Sequence, residues 1–307
     1  MPDLRFIVPF GHGGASDRAA RSFARALGTA AASAFSGRGE PESASPPTPG
    51  RLDPIIENVP GAGGLFGVQR ANELARAGEP VLLLSTPTTH VLLRERLGDS
   101  VAPDEAFRPL AGLGSAPNVL LVSPRLGVRS VDELIARATC EPLVYASAGT
   151  GQTIHVATAL FCRQAGIRMT HQPYDGGSAT AYADLIAGRV HVYFDNLLGC
   201  RDRIAQGHAV PLAVSDTRRS HLLPDVPTLA QSGIPGHALD VWLGVFGAHG
   251  CAAFADIGGP AFPVTEFAGD LRLLGLSGGP ISAQALALQV ETSSSGWREA
   301  LAAGDAA

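Results

Sequence analysis

Arg5-Phe6-Ile7-Val8-Pro9-Phe10-Gly11-His12-Gly13-Gly14-Ala15-Ser16-Asp17 carries an apolar, strand-like run into a glycine turn and then into a helix. The device returns as Leu143-Val144-Tyr145-Ala146-Ser147-Ala148-Gly149-Thr150-Gly151-Gln152-Thr153-Ile154-His155. It returns again as His171-Gln172-Pro173-Tyr174-Asp175-Gly176-Gly177-Ser178. Strand followed by helix, repeated, is the pattern of parallel sheets with crossover helices. Each glycine turn leaves backbone N–H groups at a helix N-terminus, where the peptide dipoles favour an anion. Small residues there also let a ligand approach the backbone. The repetition points to a chain that holds a small anion. On spacing alone a second reading stays open, in which these turns are ordinary connectors of an α/β protein.

Working outward, the 307 residues suffice for two cores, and 45% hydrophobic against 17% charged residues is a globular balance. A net charge of −5, few aromatics and no basic run argue against nucleic acid as partner. Every basic residue counted in that charge is Arg, with no Lys anywhere. That excludes a P-loop lysine and a Schiff-base lysine. Cys140, Cys162, Cys200 and Cys251 are scattered without a C-x-x-C pair, so neither a metal nor a cofactor is expected. Cys162 falls on an apolar helix face and reads as a small buried residue. No run reaches the length of a membrane span. Met1-Pro2-Asp3 leads straight into a strand, so either a signal peptide has been removed or the protein stays inside the cell.

The spacing predicts a strand over 4–10 and a helix over 17–32, with Ala19, Ala20, Phe23, Ala24 and Leu27 on one face. Residues 33–51 are rich in Ser, Pro, Gly and Glu and read as a mobile surface insertion. Further strands are expected at 54–58, 81–85, 119–122, 190–194 and 211–215, and Ser130 as the N-cap of a helix over 131–138. Residues 250–295 carry too weak a pattern to place elements.

The order of motifs resembles the Bug-type receptors of tripartite tricarboxylate transporters. The matching pieces are Ile7-Val8-Pro9-Phe10 with Gly13-Gly14 and Asp17, Glu57-Asn58 with Pro60-Gly61-Ala62-Gly63-Gly64, and Ser115-Ala116-Pro117-Asn118-Val119-Leu120. They continue through Tyr145-Ala146-Ser147-Ala148-Gly149 with Gly151, Pro173-Tyr174 with Gly176-Gly177, Phe194-Asp195-Asn196, Leu212-Ala213-Val214 and Leu223-Pro224-Asp225-Val226-Pro227-Thr228. Eight weak pieces in order make one strong match.

The resemblance implies an α/β, two-lobed, type II periplasmic-binding-protein-like fold with two hinge crossings. Lobe one would comprise 1–115 and 220–307, and lobe two 116–219, with the hinge near 116–120 and 213–215. It implies a periplasmic receptor that takes a small carboxylate in the interlobe cleft and hands it to membrane permease subunits. By the same match the ligand loops are Phe10 to Asp17 and Ser147 to His155. The amides of Gly13, Gly14, Gly149, Thr150 and Gly151 and the hydroxyls of Ser16, Ser147 and Thr150 would be donors. Thr86, Tyr174, Asp195, Asn196 and Trp242 would face the cleft.

Asp195 is the most diagnostic of these, since it would repel a second anionic end and welcome an amino group. Its alternative is a turn or helix-cap acid. Asp17 reads as the cap of the first helix, His12 as a solvent-facing residue and His155 as a first-turn structural one. Two other functions are weighed. A cytosolic ligand sensor on the same scaffold is prompted by the bare N-terminus. An enzyme acting on a carboxylate lacks a dinucleotide fingerprint, and no catalytic residue is nominated.

Overall fold

The computed structural model describes residues 4–36, 54–103, 105–174, 178–237, 239, 241–248, 251 and 264–304. Most of the 33–51 insertion, and Asp175 to Gly177 of the third glycine turn, lie outside them. The chain forms two compact units. The first is Met1–Ser85, Pro103–Gly114 and Leu243–Gln289, and the second is Thr86–Ala102, Ser115–Trp242 and Val290–Ala307.

In chain order the first unit opens with β1 (Arg5–Val8), α1 (Ala15–Ser36), β2 (Ile55–Asn58), α2 (Leu65–Arg76) and β3 (Val81–Ser85). Helix α1 runs past the expected end at 32 into the start of the insertion. A π-helical turn (Thr88–Leu92) and α3 (Leu93–Leu97) precede β4 (Arg108–Ala116). The second unit continues with β5 (Asn118–Val122), α4 (Val131–Cys140), β6 (Leu143–Ser147), α5 (Thr153–Ala165) and β7 (Met169–Pro173). Then come α6 (Ser178–Ala187), β8 (Val192–Asn196), α7 (Leu197–Ala205) and β9 (Val210–Val214). The last elements are β10 (Val241–Ala248), α8 (Val264–Leu273), β11 (Ile281–Ser282) and α9 (Ala283–Gly304).

In the first unit the described strands form a six-stranded sheet, β11-β4-β10-β3-β1-β2. Strands β2, β1 and β3 run parallel, and β10 pairs antiparallel with β3. The continuous run Val81-Leu82-Leu83-Leu84 is buried because β3 is a central strand covered on both faces. Phe23 of α1 packs edge-on against Phe6 of β1 and Phe267 of α8, each at 5.9 Å. Ser22 donates to Asp270 at 2.6 Å and so ties α1 to α8.

In the second unit a five-stranded sheet runs β7-β6-β8-β5-β9. Strands β7, β6 and β8 are parallel, and β5 is antiparallel to β8 and β9. The expected hinge segment 213–215 thus sits at the end of a strand inside this unit. Leu120, Val122, Val192 and Phe194 enter one core, while Val119, Leu121 and Tyr193 enter the core on the opposite face. That is the period of two dictated by the pleat. Ser130 caps α4 as expected, accepting from the Glu133 amide at 3.1 Å, and Glu133 returns the bond to the Arg129 amide at 2.7 Å. Cys162 is buried, as its helix face requires.

The weak C-terminal pattern hides two helices. The last turns of α9 belong to the second unit, where Trp297 and Leu301 pack with Val91, Leu92, Val156 and Leu160.

The second core also buries an imidazole. His237 is 3% exposed, lies 2.8 Å through Nδ1 from Gln164 Oε1, and stacks on Phe194 at 5.6 Å. Its Nε2 has no partner among the described residues. Burial depresses its pKa from 6.5 to about 4, so it folds neutral. Its contribution to stability is therefore present above the unfolded value and is lost as pH falls from 6.5 towards 4. His237→Phe is expected to recover about 2–3 kcal/mol of that acid loss. Urea unfolding at neutral and acid pH checks it, and parallel stability curves for the two proteins would contradict it.

Candidate ligand site

The first glycine turn follows β1. Gly13 sits at φ 78°, which glycine adopts without strain, and its amide donates to Asp17 Oδ2 at 2.8 Å. Arg21 Nε donates to the same oxygen at 3.0 Å, and Asn58 Nδ2 to Oδ1 at 2.9 Å. Asn58, at the end of β2, also donates to the Phe10 carbonyl at 3.1 Å and accepts from Arg21 at 3.2 Å.

Asp17 is therefore not the N-cap expected of it. It lies inside the first turn of α1, 1% exposed, and locks the glycine turn to β2. Burial alone would raise its pKa, but the hydrogen bonds from Arg21, the Gly13 amide and Asn58 outweigh that and hold the carboxyl below 3.8. The amides of Gly14, Ala15 and Ser16 have no acceptor among the described residues, as the first turn of a helix dictates. His12 is exposed, and Phe10 and Ser16 are half-buried.

The second turn follows β6, and most of its donors are engaged internally. The Gly149 amide donates to Ser147 Oγ at 3.1 Å, the Gly151 amide to His155 Nδ1 at 3.0 Å, and the Thr153 amide to Thr88 Oγ1 at 3.3 Å. Ser147 is wholly buried, with Oγ 2.7 Å from His171 Nε2. His171, His155 and Tyr145 form a cluster of stacked rings, His171 lying 4.2 Å from His155 and 4.9 Å from Tyr145. Burial first, and His155 second, depress the His171 pKa to about 4. Of the five amides nominated as anion donors, Gly13, Gly149 and Gly151 thus already have acceptors. Gly14 and Thr150 have none among the described residues.

The remaining nominated residues divide. Tyr174 follows β7 and Asn196 ends β8, beside the second turn on one edge of the sheet. The Tyr174 hydroxyl donates to Asp184 at 2.6 Å, and Asn196 caps α7 by accepting from the Leu198 amide at 3.2 Å. Asp195 is 6% exposed, and both its oxygens are taken, one by the Tyr182 hydroxyl at 2.7 Å and one by the Asn196 amide at 2.8 Å. The cap of α7 is its neighbour Asn196, and Asp195 is held by these two donors within the unit. Thr86, at the end of β3, is 6% exposed, and its Oγ1 has no partner among the described residues. Trp242 is wholly buried, donates to Ser293 at 2.9 Å and meets His90 edge-on.

The expectation overlooked Asn58 and His171. Asn58 lay in a quoted motif, and His171 pairs with Tyr145 in the β6–β7 register. Sequence carries no signal that either polar group would be turned onto a glycine turn.

Parallel strands ending in glycine turns are built into each of the two α/β units. A structure of R. palustris Rpa4515 with adipate matches at a TM-score of 0.80 and 28% identity, over 99% of this chain and 97% of that one. The periplasmic binding protein BugD shares the fold at a TM-score of 0.74. This chain belongs to the tripartite tricarboxylate transporter family receptors, the TctC family, whose profile matches residues 52–253. Curated relatives agree. BugT of Bordetella pertussis is 29% identical over 255 residues, spanning 80% of this chain and 71% of BugT. A protein from the tcbD–tcbE intergenic region of Pseudomonas sp. strain P51 is 30% identical over 253 residues, spanning 80% of this chain and 68% of that protein. The family expected from the motifs is the family found.

Proposed function

We propose that this protein is an extracytoplasmic solute receptor that binds a small carboxylate between its two lobes and delivers it to the permease subunits of a tripartite tricarboxylate-type transporter. The observation that carries the reading is family membership together with near full-length likeness to a protein whose structure holds adipate. No helix among the described residues is long and apolar enough to cross a membrane. The first ligand contacts are the open amides of Gly14, Ala15 and Ser16, the Ser16 hydroxyl and the Phe10 ring. Thr150, with Gly149 and Gly151 shaping its turn, faces the ligand from the second unit, joined by the unpartnered Thr86 hydroxyl. Tyr174, Asn196 and Asp195 support that edge. The protein works by binding and closure and not by turnover. Ser147 is buried, with its Oγ against His171. For the moving bodies we keep the division 1–115 with 220–307 against 116–219, except that the segments 86–102, 220–242 and 290–307 group with the second.

Adipate is expected to raise the melting temperature in a concentration-dependent way, since a ligand that binds only the folded state stabilises it by mass action. Gly149→Val and Gly13→Val should each abolish that shift. Gly149 sits at φ 136° and Gly13 at φ 78°, conformations a β-branched residue does not adopt without distorting the turn. A Cβ on Gly13 would meet nothing within 4 Å, so its penalty is conformational alone. Full retention of the shift in both variants would place the ligand elsewhere. A wild-type protein that responds to no carboxylate would overturn the receptor reading.

A further inference from the structure

With the Gly149, Gly151 and Thr153 amides engaged, the second turn has few donors left for an anion. Those remaining among the described residues include the amide and hydroxyl of exposed Thr150, and a side chain from outside the turn, Arg96, lies over it. Arg96 stands near the end of α3, and its Cδ, Nε and Cζ fill the space that a Cβ on Gly151 would take. Gly151 is at φ 72° and lies flat beneath that stem. Its neighbours on α3 have ion-pair partners, Arg94 with Asp99 at 3.1 Å and Glu95 with Arg298 at 2.7 Å. Arg96 has no acidic partner among the described residues and is exposed.

An unpaired guanidinium laid along a glycine turn is positioned to receive a carboxylate. We infer that Arg96 is the charge partner of the ligand carboxylate at the second turn, beside Thr150. This inference rests on the carboxylate-receptor reading. A planar guanidinium offers two parallel N–H groups that match the two oxygens of a carboxylate, which a backbone amide cannot do. It also explains why position 151 carries no side chain: any Cβ there displaces Arg96 from the turn.

The test is calorimetric titration with whichever of adipate, succinate and malate the wild-type protein binds most tightly, at low and at high NaCl. Arg96→Gln is expected to weaken binding roughly 10- to 100-fold. Arg96→Lys, which keeps the charge and loses the fork, should fall between. Binding by Arg96→Gln should also lose most of the wild-type dependence on salt. The ligand-free melting temperature should not move, because the side chain is exposed and has no acidic partner. Gly151→Ala should reproduce the loss with Arg96 still present. If the wild-type protein binds and Arg96→Gln binds equally well, the inference is overturned while the receptor reading stands. If the wild-type protein binds none of the three, both fall together.

Discussion

Asp17→Ala is expected to lower stability by about 3 kcal/mol and to remove carboxylate binding with it. The substitution deprives three donors of their acceptor at once: the Gly13 amide, Arg21 Nε and Asn58 Nδ2. Breaking a buried charged cluster from one side leaves the other partners desolvated and unpaired, which costs about 3–5 kcal/mol. Arg21 is partly exposed and recovers some hydration, which sets the lower figure. Asp17→Asn should be nearly as harmful, because its amide group would point a fourth donor into a ring of donors. The pH dependence has a definite sign. The Asp17 carboxyl is held below 3.8, so its stabilisation is present above that value and disappears as pH falls through the lowered pKa. Both variants should therefore lose less stability than wild type on acidification. Urea unfolding across pH measures this, and a loss under 1 kcal/mol at neutral pH would show that the first turn holds its shape without the carboxylate.

Asp195→Asn is expected to act in the opposite direction. Burial raises the Asp195 carboxyl from 3.8 to about 6, and the bonds from Tyr182 and the Asn196 amide offset only part of that. A carboxyl raised in the fold contributes most to stability below 3.8, and that contribution is lost as pH rises through about 6. At neutral pH the charged form thus carries a penalty of about 2–3 kcal/mol. Asparagine keeps the shape, accepts from the Asn196 amide, and donates to the Tyr182 hydroxyl once that hydroxyl rotates. The variant should be more stable than wild type by about that amount above pH 7 and level with it near pH 4. Carboxylate affinity should be unchanged, because both oxygens are already occupied within the unit. A selective loss of binding to an amino-bearing ligand would instead show that the charge serves a ligand.

Asp17 and Asp195 mark how far the sequence reaches. Its motifs located both residues at turns following strands, and the strand periods, the Ser130 cap and the ordered family pieces are local patterns that fix the α/β class and the TctC family. Such features are legible because they depend on residues a few positions apart. The 250–295 region was not legible, since its Gly, Ala and Ser dilute the helical period, and α8 and α9 are held by distant contacts such as Ser22 with Asp270 and Trp242 with Ser293. The site was legible in place but not in chemistry. Sequence identified the two glycine turns and assigned their amides to a ligand. The acceptors that take the Gly13, Gly149 and Gly151 amides are local, Asp17, Ser147 and His155. Only the tertiary structure decided how the turns are held, because the groups that brace them come from afar. His171 reaches Ser147 across 24 residues, Asn58 reaches Asp17 across 41, and Thr88 reaches Thr153 across 65. Arg96 likewise lies over Gly151 from a different helix. A backbone donor is open to a ligand only if the fold brings no other acceptor to it, and that is settled by packing.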